Sequence, residues 1–281
     1  MQSMTAQQDK ALLFRSLHTA AAPLALANAW DAASARIVQQ AGAPAVATTS
    51  AGVAWALGSA DGDRLGRADA LALVARVAAA VDVPVTADIE SGFGASPADV
   101  AETVTAVIAA GAVGINLEDS LHEGDSPLRP VAEQAERIAA ARAAADATGV
   151  PLYINARVDT YVRAEGEPRT RLQSTLTRAA AYVAAGADGI FVIGVSDPTV
   201  IAALAEVITA PLNVLAGPGF PSVAELGKLG VARVSLGATV ARAAYATARA
   251  AARELTATGS YNALADALDP DDPIDLNTLM R

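Results

Sequence analysis

Two carboxylates stand two residues apart where an apolar run ends. The stretch reads VTADIESGFG, from Val85 to Gly94, and the carboxylates are Asp88 and Glu90. Because side chains alternate along an extended backbone, these two are expected to point to the same side. Carboxylates gathered at a buried position repel one another and lose solvation, so a cation is expected beside them. A hard divalent cation bound by oxygen atoms, Mg²⁺ with several retained waters, meets that need.

Two more carboxylates follow other apolar runs and can join this site. Glu118 ends the run GINLE, and Asp61 lies in the turn ADGD. Magnesium keeps water in its coordination shell, so we expect Asp88 to bind the ion directly and Glu90, Asp61 and Glu118 to act through water. A competing interpretation pairs Asp88 with Arg157 and leaves Glu90 to cap a turn.

Arg157 lies in the sequence NARVD at the end of a further apolar run. A guanidinium there needs an anion, because an unpaired buried charge is costly. One interpretation gives Arg157 a substrate carboxylate or a negative charge that develops during a reaction. The other gives it a permanent ion pair with Glu118 or Asp159. The two roles are compatible, and we treat Arg157 and Glu118 as candidate catalytic residues.

The segment Thr49, Ser50, Ala51 and Gly52 combines hydroxyl groups with small residues. Backbone amides in such a segment can approach an anion closely, which makes these four residues candidates for substrate binding. An ordinary turn has the same composition. The stretch Ala216–Gly219 (AGPG) is a second, weaker candidate of this kind, for phosphate.

His122 lies in the segment from Leu121 to Arg129, which we predict to close over the site as a lid. A histidine at that place is a candidate general acid or base. The alternative is a loop histidine that faces solvent.

The elements that must position these residues alternate along the chain. Short apolar runs with β propensity recur, and each is followed by a longer alanine-rich segment of helical period. The predicted strands are Leu24–Ala29, Pro44–Thr49, Val83–Ile89, Val113–Leu117, Leu152–Ala156, Gly189–Ile193, Leu212–Leu215 and Ala232–Leu236.

Repeated strand-then-helix units predict an α/β fold, a single (β/α)8 TIM barrel over about residues 24–257 with a C-terminal helical extension at 258–281. A doubly wound open sheet is the alternative topology. In such barrels the carboxyl ends of the strands carry the active site. By that rule, the candidate residues lie together at one end of the barrel. The extension is either an arm on a neighbouring subunit or a frayed terminus.

Composition excludes several classes of function. The formal net charge is −10 and the basic residues are scattered, so neither nucleic acid nor an anionic membrane is an expected partner. The chain has no cysteine, which rules out disulfides, thiolate metal sites and a cysteine nucleophile. We find neither a secretory signal nor a membrane-spanning run, and we expect a soluble, cytoplasmic protein.

Several short motifs, met in order from about Asn28 to Gly237, resemble those of the isocitrate lyase and phosphoenolpyruvate mutase superfamily. Asp88-Ile89-Glu90-Ser91-Gly92-Phe93-Gly94 is similar to its D-x-D/E-x-G-x-G stretch. The segment from Gly114 to Asp119 resembles G-(I/V)-x-(I/L)-E-D, and the segment from Ala156 to Asp159 resembles A-R-x-(D/E). Asp61 falls where members carry a further acidic residue near the metal, and Asn213 where they carry a substrate-binding asparagine.

The resemblance implies an α/β barrel with Mg²⁺ or Mn²⁺, a small carboxylic acid as substrate, and a homo-oligomer, a dimer or tetramer with an exchanged C-terminal helix. One motif departs from the family. Isocitrate and methylisocitrate lyases carry a K-(K/R)-C-G-H loop after the E-D pair, whereas this chain continues SLHEGDSP from Ser120 to Pro127. The lysine-containing loop of the phosphonopyruvate enzymes is not recognisable either.

The retained residues predict a Mg²⁺-dependent lyase that cleaves a C–C bond of a small 2-oxo or 2-hydroxy acid through an enolate, as in oxaloacetate decarboxylases and hydrolases or methylisocitrate lyase. Two alternatives stay open. One is P–C bond chemistry on phosphonopyruvate or phosphoenolpyruvate. The other is a barrel that binds a small acid without turnover.

Overall fold

The computed structural model describes residues 4–19, 21–124, 126–265, 268 and 273–281. Its strands are β1 Leu24–Leu26, β2 Asn28–Ala29, β3 Val46–Thr48, β4 Val85–Asp88, β5 Gly114–Glu118, β6 Tyr153–Val158, β7 Gly189–Val192, β8 Leu212–Leu215 and β9 Val231–Ser235. Its helices are α1 Met4–Ser16, α2 Ala32–Gln40, α3 Ser50–Ala56, α4 Arg67–Ala80, α5 Pro97–Ala109, α6 Val131–Thr148, α7 Arg171–Ala184, α8 Pro198–Val207, α9 Val223–Lys228, α10 Thr239–Thr258 and α11 Leu276–Leu279.

The strands form one parallel sheet that closes on itself. Its order is β1-β9-β8-β7-β6-β5-β4-β3-β2. Since Ala27 alone separates β1 from β2, the two edges of the sheet belong to one interrupted strand. The eight predicted strands are therefore confirmed, and the topology is the barrel rather than the doubly wound sheet. Predicted boundaries differ from the observed ones by at most two residues.

Local signals in the sequence set the helix starts. Ser96 caps α5 by accepting a hydrogen bond from the Asp99 amide, and the Asp99 carboxylate in turn accepts one from the Ser96 amide. Pro97 then occupies the first turn, where its missing N–H costs nothing. Asp31 and Ser222 cap α2 and α9 in the same reciprocal way. These caps fix where the chain leaves each strand-end loop.

Helix α1 closes the lower end of the barrel, where the strands begin. Phe14 is fully buried, and the His18 ring stacks on Tyr153 with 3.9 Å between ring centroids. Gly114 and Gly189 make this packing possible: a Cβ on Gly114 would lie 2.7 Å from the Phe14 ring, and one on Gly189 would lie 2.4 Å from the Tyr153 hydroxyl. The lower end is thus sealed by aromatic side chains.

His18 in this seal predicts a loss of stability in acid. Burial, reinforced by the charge of Arg233, lowers the pKa of His18 to about 3, against 6.5 for an ordinary histidine. Between these two values the unfolded chain binds a proton that the folded chain does not, so this contribution is complete above pH 6.5 and is lost as the pH falls toward 3. We expect the His18→Phe variant to show a flatter dependence of unfolding free energy on pH in that window, by up to about 1.4 kcal/mol per pH unit.

Urea unfolding at a series of pH values measures this difference between wild type and variant. The difference isolates His18 because the other titrating groups are common to both proteins. His122, the second histidine, gives the control, since it is partly exposed and His122→Phe retains His18. Parallel pH profiles for wild type and His18→Phe would contradict the prediction.

The predicted C-terminal extension has two short helical segments among its described residues, the 3-10 turn Asn262–Leu264 and α11. Residues 266–267 and 269–272 of that extension, and residue 125 of the predicted lid, lie outside the described part of the chain. In the described residues, no helix has the length and hydrophobicity needed to cross a membrane.

Candidate active site

A cavity of about 210 Å³ opens at the carboxyl ends of the strands. It contains six of the residues singled out from the sequence, together with polar and apolar residues from β2, β5, β7, β8, β9 and the start of α10. The six are Thr49, Ser50, Ala51, Asp61, Asp88 and Arg157. The others are Asn28, Asn116, Phe191, Ile193, Leu215, Ser235, Leu236, Gly237, Ala238, Thr239 and Arg242. The strand-end rule thus brings most of the candidates to one place.

Asp88 ends β4 at the wall of this cavity. Its Oδ2 accepts a hydrogen bond from the Ser50 amide at 3.1 Å, and the Asp88 amide donates to Thr48 Oγ1 at 2.9 Å. Among the described residues, Ser50 is the one hydrogen-bond donor near this carboxylate, its side chain adding to its amide, so Asp88 Oδ1 keeps lone pairs for a ligand. Burial raises the pKa of Asp88, and the charge of Arg157 opposes that rise. Asp61 adds negative charge from another part of the same wall.

Glu90 does not share the direction of Asp88, and our expectation of an extended pair is wrong. Strand β4 ends at Asp88, and Glu90 has φ +50°, in the left-handed region. The turn is held because the Glu118 amide donates to the Glu90 carbonyl at 2.9 Å and the Asp63 amide donates to the Glu90 side chain. Burial raises the pKa of Glu90 to about 8. Glu90 therefore lies beside the cavity rather than in its wall.

Arg157 is held by two carboxylates. Its Nη1 lies 2.6 Å from Glu118 Oε2, and its Nε and Nη2 donate to Asp159 at 2.7 and 2.8 Å. Burial opposes its charge, but the two carboxylates hold the pKa of Arg157 well above its usual range. The permanent ion pairs foreseen from the sequence are therefore present, and both predicted partners take part. Arg157 also lines the cavity, so a ligand there would lie next to its guanidinium.

Glu118 lies behind Arg157 and joins it to His122. His122 Nε2 is 2.9 Å from Glu118 Oε1. Burial raises the pKa of Glu118, while Arg157 and His122 oppose that rise. The hydrogen bond to Glu118 raises the pKa of His122 in turn. His122 is partly buried and lines a neighbouring cleft of about 490 Å³ rather than the Asp88 cavity, so its acid–base role stays a prediction.

Gly52 and Asn213 lie outside the cavity wall. A Cβ on Gly52 would come within 2.8 Å of both Trp30 and Thr49, so glycine is needed there for close packing. Asn213 is buried one layer below, with its amide 3.3 Å from Ser235 Oγ. Ser235, and not Asn213, faces the cavity. The substrate-binding roles predicted for these two residues find no direct contact here.

A buried network behind the site fixes its second layer. Asp119 is fully buried and accepts hydrogen bonds from the Tyr182 hydroxyl at 2.7 Å, from Arg178 Nη1 at 3.1 Å and from the Asp159 amide at 2.9 Å. Burial raises the pKa of Asp119 to about 6. Through the Asp159 amide, Asp119 sets the position of the carboxylate that holds Arg157.

Sequence reasoning missed Asn28 and Asn116. Asn28 Oδ1 accepts from the amides of Leu236 and Gly237, which ties the first strand to the last. Asn116 precedes Glu118 by two residues on β5, so strand alternation alone places both on the inner face. Asn116 could therefore have been predicted from the sequence. Arg242, on α10, follows the last strand and has no such local signal.

The site geometry fits a Mg²⁺ ion with retained waters. Asp88 offers one free carboxylate oxygen toward the cavity, and Asp61 faces the same space. Within the described residues, no three acidic, histidine or cysteine side chains come together as a ready metal-binding group. A single direct carboxylate with water-mediated neighbours is the arrangement that Mg²⁺ commonly takes in proteins.

The family is settled by comparison with known proteins. A family model described as phosphoenolpyruvate phosphomutase matches residues 14–256. The chain belongs to this family. The superfamily suggested by the short motifs is thereby confirmed.

Two curated relatives are bacterial proteins. An uncharacterized protein of Mycobacterium tuberculosis is 40% identical over 240 residues, which are 85% of this chain and 87% of that protein. The 2-methylisocitrate lyase of Escherichia coli is 31% identical over 204 residues, which are 71% of this chain and 67% of that enzyme. The phosphomutase-family chain thus has named enzymes of C–C cleavage among its relatives.

Two solved structures show the same barrel. A candidate phosphonomutase of Burkholderia cenocepacia J2315 is 46% identical, covers 90% of this chain and 100% of its own, and superposes with a TM-score of 0.84. A phosphonopyruvate hydrolase is 26% identical, covers 96% of this chain and 95% of its own, and superposes with a TM-score of 0.81. The latter structure contains oxalate and Mg²⁺.

Proposed function

We propose that this phosphomutase-family chain is a Mg²⁺-dependent or Mn²⁺-dependent lyase that cleaves a C–C bond of a small 2-oxo or 2-hydroxy acid. The observation that carries the proposal is the free Asp88 carboxylate oxygen in the wall of the 210 Å³ cavity. That volume is below the ~300 Å³ at which pockets for drug-sized ligands begin, which favours a substrate of few atoms.

The cavity supplies both signs of charge that such an acid requires. Asp88, with Asp61 nearby, would hold the ion, and Arg157 donates hydrogen bonds to a substrate carboxylate. When bound, Mg²⁺ supplies positive charge next to the oxygen on which an enolate's charge develops. For a 2-oxo acid the electron pair of the broken bond becomes the enolate, the other fragment leaves as carbon dioxide, and the enolate carbon then takes one proton. For a 2-hydroxy acid the hydroxyl loses its proton and becomes a carbonyl as the bond breaks, and the electron pair leaves with the other fragment, which takes one proton. His122, held by Glu118, is the proposed source of this proton.

Substrate preference separates this proposal from P–C chemistry. The purified protein is incubated with Mg²⁺ and, in turn, oxaloacetate, substituted malates, 2-methylisocitrate and phosphonopyruvate. We expect an oxo-acid product from one of the carbon acids and no phosphate from phosphonopyruvate. Phosphate release would instead establish the phosphonopyruvate chemistry. Tight binding of oxalate with Mg²⁺ and no consumption of any acid would establish a binding protein without turnover.

We also propose that the protein is a homo-oligomer in which the C-terminal helices contact a neighbouring copy. Helix α10 supports this, because Ala241 is the one residue buried along its 20 residues, and Tyr245 and Leu255 are exposed. Large apolar side chains on such a helix favour a protein partner. Sedimentation of the wild type against a Tyr245→Glu, Leu255→Glu variant, which places charge on this face of α10, tests it. A monomer for the wild-type protein would refute it.

A further inference from the structure

Arg233 is an arginine inside the barrel that the proposed chemistry does not use. It lies on β9 and is fully buried. Among the described residues, no carboxylate comes within salt-bridge distance of it, and its Nη1 has no hydrogen-bond partner. A buried charge without a counter-ion is costly, because it gives up its hydration and gains no opposite charge in return. Such a residue calls for a reason beyond packing.

The hydrogen bonds of Arg233 run to two side chains that line the Asp88 cavity. Its Nη2 donates to Asn116 Oδ1 at 3.3 Å, and its Nε donates to Ser235 Oγ at 3.4 Å. Asn116 pairs in register with Asp88 across β4 and β5. Arg233 is therefore one layer below the cavity and directly under its floor.

The amide of Asn116 is held in one orientation. Its Oδ1 accepts from Arg233 and also from Asn155 Nδ2 at 2.9 Å. Because Oδ1 already accepts two hydrogen bonds, Nδ2 is the group of the Asn116 side chain that is left to bind a ligand. Within the described chain, Nδ2 donates to no protein acceptor. The cavity is lined by Asn116, so this N–H group is offered to a ligand.

We infer that Asn116 binds an oxygen of the substrate acid through Nδ2–H, and that Arg233 is a positioning residue that fixes this amide. The inference deepens the proposed function and rests on it, since it names how a small acid is recognised at the same site. Burial lowers the pKa of Arg233 to about 10, so the guanidinium keeps its charge at neutral pH. Its positive field beneath the cavity also favours an anionic ligand there.

A double-mutant cycle with Mg²⁺ and oxalate as the probe tests the inference. The proteins are wild type, Arg233→Met, Asn116→Ala and the double variant, and calorimetry measures oxalate affinity at saturating Mg²⁺. We expect each single variant to bind oxalate about tenfold to a hundredfold more weakly, the scale of a hydrogen bond to a charged group. We expect the double variant to bind no more weakly than the weaker single variant, because both changes remove one interaction.

Arg142→Met is the matched control. Arg142 is mostly buried, but its Nη2 donates to the Leu152 carbonyl and lies 3.7 Å from Asp188, at the lower end of the barrel and outside the Asp88 cavity. Its loss should lower stability and leave oxalate affinity within about threefold, a change below 1 kcal/mol. Oxalate affinity lost equally in Arg142→Met would show a general effect of losing a buried arginine and would overturn the inference.

Arg233→Lys keeps the test decisive if Arg233→Met does not fold. Lysine retains the charge and loses the forked geometry, so we expect weaker oxalate binding with thermal stability near that of wild type. Wild-type affinity in a folded Arg233 variant, or losses that multiply in the double variant, would overturn the inference and leave the proposed function intact. Failure of the wild-type protein itself to bind oxalate would overturn both.

Discussion

Replacing Asp88 by asparagine should abolish catalysis while leaving the fold in place. The substitution removes the carboxylate at the end of β4 that we assign as the direct ligand, so we expect Mg²⁺-dependent oxalate binding and turnover to fall by at least about 100-fold. Stability should change by less than about 1 kcal/mol, because burial already disfavours the charged form of Asp88 and asparagine can still accept the Ser50 amide bond. Calorimetry with oxalate and thermal unfolding give the two measurements.

Asp61→Asn provides the comparison within the same cavity. Asp61 is exposed and, in our proposal, contacts the ion through water. We therefore expect Asp61→Asn to weaken oxalate binding about tenfold, the smallest effect typical of residues that act on a metal indirectly. If Asp88→Asn retained wild-type oxalate affinity, or if Asp61→Asn proved the more damaging of the two, the assignment of Asp88 as the direct ligand would be wrong.

Removal of the Arg157 charge should produce the largest loss of stability. In Arg157→Met two carboxylates, Glu118 at 3% exposure and Asp159 at 0%, lose their shared counter-ion. Breaking a buried ion pair from one side costs about 3–5 kcal/mol, since the remaining charge stays desolvated. We expect a loss of that size in the free energy of urea unfolding at pH 7, together with loss of activity.

An exposed ion pair shows whether the loss comes from burial. Arg67 lies 3.2 Å from Glu102 at the surface, with both side chains well exposed. Arg67→Met should cost less than about 1 kcal/mol. Adding Glu118→Gln to Arg157→Met should recover part of the stability, because one stranded charge is removed. Equal stability losses in the Arg157 and Arg67 variants would refute the argument.

The barrel and most of the residues at its mouth could be predicted from the sequence, because both depend on local patterns. Apolar runs followed by helical segments predict the strands. The residue at the carboxyl end of each predicted strand is then a candidate for the site. Asp88, Glu118 and Arg157 were all found this way. The rule works because parallel strands bring their carboxyl ends to one rim whatever the loops do.

Glu90 and Arg233 show where local patterns stop being sufficient. The left-handed backbone of Glu90 is imposed by hydrogen bonds from Asp63 and Glu118, and strand alternation cannot foresee those partners. Arg233 is a single charged residue in the apolar stretch VARVSLG, and nothing in that stretch predicts its burial. It lies inside the barrel because long-range neighbours such as Asn116 accept its N–H groups. Polar residues can occupy an interior only where such partners meet, which is a property of the whole fold.

The aromatic seal formed by Phe14, His18 and Tyr153 determines how a substrate enters and how the products leave. With the lower end of the barrel filled, a substrate enters the Asp88 cavity from the mouth, and the fragments of a cleaved acid leave by the same route. The fragment nearer the entrance must depart first. A compound that mimics this outer fragment should therefore trap the inner one, which would give the reaction an ordered sequence of product release.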